Sequence, residues 1–146
     1  IKTLKATHPR QGFLLCGDGL MSHQPMIEAV LQQQMHYLFV VKPSDHTYLM
    51  DWLAAYDSLP TLEVTDDQGR LHQYRWQNGV PLNGREDSCQ ANYLEYALTR
   101  ADGKTTYRNS WVTDLEVDAQ NIVELVRAGR CRWKIESVPQ AHKLAA

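Results

Sequence analysis

No run of about 18 apolar residues occurs in the chain, and no basic stretch leading into a short apolar one opens it. The sequence therefore predicts neither a membrane span nor a secretory signal and points to a cytoplasmic protein. Cysteine is scarce: Cys16, Cys89 and Cys131 are odd in number, widely spaced and without a CxxC pair, so no disulfide framework or redox dithiol is indicated. The histidines, His8, His23, His36, His46, His72 and His142, show neither HxxxH nor HxH spacing, which leaves zinc without sequence support. Excess positive charge is missing too. The net charge is −2 and the pI about 6.3, so any contact with nucleic acid has to come from a local patch.

What is present suits one domain with a real core, since 146 residues at 43% hydrophobic exceed what a disordered segment carries. The chain opens on Ile1 and closes on "KLAA", a tetrapeptide that resembles a cloning-site scar. Residues 1–142 are accordingly expected to form a single domain that is a fragment of something longer, and 143–146 a vector-derived tail.

"GFLLC" reads as a buried strand. "SHQPMIEAVLQQQM" reads as a helix with Ser22 as N-cap, Pro25 in the first turn and Ile27, Val30, Leu31 and Met35 on one face. Tyr37 to Val41 then form a second strand. This strand-helix-strand unit predicts a parallel crossover, whose ligands collect beyond the carboxyl ends of the strands. A further helix follows, with Leu49, Trp52, Leu53 and Tyr56 on its inner face. From about 58 to 113, alternating segments separated by "DDQG", "NGVP" and "ADGK" predict an antiparallel β region. In it Leu94, Tyr96 and Leu98 share one face, as in a sheet covered on one side. The last element is a helix capped by Asp118, weakened at Gly129 and ending near Val138 before Pro139.

Two roles fit Asp18, which stands between glycines at a strand's carboxyl end: a turn aspartate bonding its own backbone, or a metal or acid-base carboxylate. Glu136 is either a solvated helix residue paired with Arg132 four positions earlier, or a second functional carboxylate. "GRCRWK" sets Arg130, Arg132, Trp133 and Lys134 within five positions. That composition serves phosphate and base contacts or simply a solvated helix with Trp133 turned inward. A hydrolase built on Cys16, or on Ser22 with His23, has poor geometry, because adjacent helical residues point about 100° apart.

"GDGLMSHQPMIEAVLQQQMHYLFVVKPSDHTYLMDWL" and "NSWVTDLEVDAQNIVELVRAGRCRWKIES" together resemble the catalytic domain of bacterial insertion-sequence transposases of the DDE class. The resemblance runs from about Gly12 to Ser137. It implies an α/β, partial ribonuclease-H-like domain: the parallel unit, an inserted antiparallel β region, and a C-terminal helix. It also implies DNA cleavage and transfer by two divalent ions, Mg2+ or Mn2+, held by three carboxylates, with Asp18 the second aspartate and Glu136 the final glutamate. Hard oxygen ligands suit such ions. Arg130, Arg132, Trp133 and Lys134 would contact transposon-end DNA. None of the seventeen residues before Asp18 is acidic, so the first carboxylate is absent. The expectation is a chain inactive or nearly so by itself, with a partial sheet whose open edges are covered in a homo-oligomer. The alternative is a noncatalytic module derived from such a protein that oligomerises or binds a ligand.

Overall fold

A computed structural model describes residues 12–19, 22–56, 58–84, 88–130 and 135–138. Strand β1 (Gly12–Gly17), helix α1 (Gln24–Gln32) and strand β2 (His36–Val40) form the expected unit, with β1 and β2 parallel and Cys16 opposite Leu38. Pro25 sits in the first turn of α1, where its missing amide hydrogen costs nothing, but the N-cap is His23 and not Ser22. A turn at Pro43–Asp45 leads into α2 (Thr47–Ala54). Strands β3 (Thr61–Thr65), β4 (Leu71–Pro81), β5 (Gln90–Thr99) and β6 (Thr105–Thr113) then run up and down as an antiparallel meander. Two of its turns place Gly69 and Gly103 at φ of 77° and 91°, the left-handed region that glycine enters without penalty.

The fold is mixed α/β. A single seven-stranded sheet runs in the order β3-β4-β5-β6-β2-β1-β7. The meander therefore does not form a separate layer. β6 pairs antiparallel with β2, Val40 opposite Trp111, and so continues the parallel pair.

Both faces of the sheet are covered, which corrects the expectation of one-sided burial. On one face Ile27 and Val30 of α1 and Leu49 and Leu53 of α2 pack with Tyr37, Phe39 and Tyr93. On the other, Ile122, Leu125 and Val126 of α3 (Ile122–Gly129) pack with Leu14, Leu38, Leu94 and Trp111. Successive β5 residues point to opposite faces, so Tyr93 enters the first cluster and Leu94 the second. Leu31, Trp52 and Tyr56, expected on inner faces, are exposed.

The C-terminal helix is shorter than expected. It stops at Gly129, and Asn121 is its N-cap, while the Asp118 carboxylate accepts the amides of Gln120 and Asn121 one turn earlier. Residues 135–138 are not helical. They form β7 (Ile135–Val138), antiparallel to β1 with Glu136 opposite Leu14. The cause is tertiary, because β1 pairs with β2 on one side only and its other edge offers a row of backbone groups to a strand.

Candidate functional site at the carboxyl end of the parallel strands

β1 ends at Gly17 and Asp18 follows it, half-buried, beside the carboxyl end of β2. The side chain of Lys42, just past β2, crosses this turn. A Cβ added at Gly19 would lie 3.2 Å from Lys42 Cε, so glycine is what lets the lysine stem pass.

The turn is tied down by Ser22 and His46. Ser22 is fully buried, and its hydroxyl donates to the Gly19 carbonyl at 3.0 Å. His46, from the loop after β2, places Nε2 3.0 Å from the same oxygen. Which of Ser22 Oγ and His46 Nε2 donates to the other is set by the imidazole tautomer. Burial holds His46 below the usual histidine range and nearby His23 adds to this, while Asp45 and a hydrogen bond with the Leu82 backbone act in the opposite direction. Ser22 is tied both to the turn after β1 and to the loop after β2. Its partner is His46 and not His23, and Cys16 is buried among apolar neighbours.

The register separates the two candidate carboxylates. Glu136 lies opposite Leu14, four residues back from Asp18, which places the two positions roughly 13 Å apart along the strand. Glu136 stands on a strand and not on the expected helix. Arg132, Trp133 and Lys134 lie outside the described residues. The guanidinium of the exposed Arg130 sits 4.5 Å over the Tyr107 ring and 5.5 Å from the Tyr96 ring centre, a cation-π arrangement at the surface.

Spacing along the sequence gave no sign of two further networks. Asp66 accepts the amides of Gln68 and Arg70 and the Arg70 Nε, and lies 2.9 Å from His72 Nε2; His72 Nδ1 lies 2.8 Å from the Tyr96 hydroxyl. The hydrogen bond from His72, with those from Arg70 and Gln68, holds the Asp66 carboxyl well below the usual range. His72 then donates to Asp66 and accepts from Tyr96. Tyr96 is buried, while Asp66 and His72 are partly exposed, so the relay runs from the surface inward and ties the β3–β4 turn to β5. Separately, Lys42, Arg75, Arg108 and Glu95 line one cavity.

An ion held jointly by carboxylates needs them clustered. Among the described residues no group of three histidine, cysteine or acidic side chains converges as a metal site. Asp18 offers hard oxygen of the right kind, yet the described set does not complete a two-ion centre. No described helix is long and apolar enough to cross a membrane.

No protein-family model matches the chain. It is similar to utrophin of Rattus norvegicus, 35% identical over 120 residues, an alignment that covers 76% of this chain and 4% of that protein. The chain thus spans a small fraction of the relative's length.

Proposed function

We propose that the chain is a piece of the ribonuclease-H-like catalytic domain of a DDE-class transposase, in which Asp18 is a divalent-ion ligand for DNA strand cleavage and transfer. One observation carries this reading: Asp18 directly follows a parallel strand whose neighbour is reached through a helix, at the end of the sheet where ligands of such units gather. Glu136 would supply a second ligand in the complete domain. Its distance from Asp18 and the lack of a third carboxylate make this chain alone inactive, so cleavage belongs to the whole protein.

The test is Mn2+ titration followed by NMR. Selective broadening of the Asp18 and Gly19 amides is expected in the wild type and not in Asp18→Asn, with no plasmid nicking by either. Equal broadening in both, or nicking that survives the substitution, overturns the reading.

A second reading, the noncatalytic oligomerising module, draws on a different observation. Of the six large apolar side chains that stand exposed among the described residues, Met26, Leu31, Tyr48, Trp52 and Tyr56 belong to the α1 and α2 layer or the turn that ends α2. Such clustering is how association surfaces look. A concentration-dependent mass in sedimentation, abolished by Trp52→Glu, would favour it; a monomer at high concentration would rule it out.

A further inference from the structure

Four charged residues form a row across the sheet on the face that carries α2. Arg75 of β4 lies opposite Glu95 of β5, and Glu95 opposite Ser110 of β6; Arg108, two residues before Ser110, shares its face. Ser110 bonds the end of β2 in both directions: its carbonyl accepts the Val41 amide at 2.9 Å and its hydroxyl donates to the Val41 carbonyl at 2.8 Å. Lys42 comes next, at the edge of the Asp18 turn. Lys42, Arg75, Tyr93, Glu95 and Arg108 line a cavity of about 350 Å³.

The row has one carboxylate, and it is already occupied. Glu95 Oε2 accepts Arg75 Nε at 3.0 Å, and Oε1 accepts the Tyr93 hydroxyl at 2.9 Å. Lys42 and Arg108 both line the cavity and are exposed, and among the described residues neither stands in an ion pair. This is notable in a chain of net charge −2.

We propose that this row is a track for the phosphodiester backbone of nucleic acid, with Arg108 and Lys42 as its principal contacts and Arg75 at its far end. The choice of nucleic acid as the polyanion rests on the preceding reading; the cation row does not. Three strand spacings separate β4 from β2, roughly 14 Å, which is longer than one phosphate and matches a few successive ones at about 3.4 Å each along a strand. Arginine offers a planar fork to phosphate oxygens and lysine a point charge. The one ring in the cavity, Tyr93, is buried and committed to Glu95, so bases have nothing to stack on. Recognition is therefore of the backbone and tolerant of sequence. Because the Lys42 stem lies against Gly19, a phosphate held by Lys42 rests beside the Asp18 turn.

The experiment measures anisotropy of a fluorescein-labelled 20-base-pair duplex in EDTA between 25 and 200 mM KCl. The proteins are the wild type, Lys42→Gln/Arg108→Gln, Arg100→Gln and Asp18→Asn, each checked for folding by circular dichroism. Each lost phosphate contact flattens the slope of log K against log salt by about 0.9, so the double variant loses about 1.8 and binds roughly sixty-fold more weakly at 0.1 M salt. Arg100→Gln, whose guanidinium is paired with Asp102 in the turn between β5 and β6, keeps the wild-type slope. Polyglutamate of equal charge competes poorly. Wild-type affinity and slope in the double variant, no wild-type binding at 25 mM KCl, or equal competition by polyglutamate each overturns the track. Asp18→Asn binds at least as well as the wild type in EDTA, so a failed metal assignment with an intact track, or the reverse, is read separately.

Discussion

The hydroxyl oxygen of Ser22 lies 3.0 Å from His46 Nε2 and donates to the Gly19 carbonyl, so one buried oxygen joins the turn after β1 to the loop after β2. Since burial lowers the affinity of His46 for a proton, the unfolded chain binds that proton more readily than the folded one. The stability this contributes is full above the ordinary histidine range, near 6.5, and is lost as pH falls through the depressed value. Thermal melts between pH 5 and 8 are expected to show Tm falling on the acid side in the wild type and a flatter profile in His46→Gln. Ser22→Ala strips the Gly19 carbonyl and His46 of a partner and costs about 1–3 kcal/mol in urea denaturation.

Gly129 is required by Trp111. A Cβ at this position would stand 2.7 Å from Trp111 Nε1 and 2.8 Å from Cε2, and the indole is fully buried while donating to the Gly129 carbonyl at 3.3 Å. Alanine favours helix over glycine by about 1 kcal/mol, yet overpacking costs typically 1–3 kcal/mol. Gly129→Ala is expected to be net destabilising by urea denaturation, with a shift in Trp111 fluorescence.

Tyr37 presents the converse case. Its hydroxyl is buried with no hydrogen-bond partner among the described residues, and burial drives the phenol well above its ordinary range. Tyr37→Phe removes an unpaired polar atom and keeps the ring stacked on Phe39 at 5.2 Å between centres. The substitution is expected to leave stability unchanged or raise it by about 1 kcal/mol, measured by denaturant midpoint.

The depressed carboxyl of Asp66 makes a separate pH prediction. Its contribution is complete above the ordinary aspartate value near 3.8 and drains away as pH falls further toward the lowered one. Asp66→Asn is expected to melt below the wild type at pH 6, with the gap closing as acid is added below pH 4. A constant gap would show that the loss is steric.

The strand-helix-strand unit was legible because Ile27 and Val30 recur at helical spacing and Pro25 can only open a helix, while "YLFVV" has the branched and aromatic residues of a strand. The meander was legible from its turns. Two readings failed for the same physical reason, since periodicity records one chain segment and burial depends on what packs against it. Tyr93 and Leu94 look like an ordinary alternation until helices cover both sides, and Ile135–Val138 follow a helical pattern until the open edge of β1 claims them. The site divides similarly. Asp18 was visible from its local context, whereas Ser22 with His46, and Lys42 with Arg108, are brought together only by the fold.

The pairing of β2 with β6 joins residues about seventy apart and that of β1 with β7 residues about 120 apart, while each turn of the meander closes only a few, so the chain-entropy cost of assembly lies in the pairings of β1 and β2. β3 to β6 can form from neighbours in sequence and offer β6 as a finished edge. β2, carrying β1 and the Asp18 turn with it, meets that edge only across a long loop. The half of the molecule that bears the candidate chemistry is thus the half held by non-local pairing, and Val40 beside Trp111 is where the two halves are fastened.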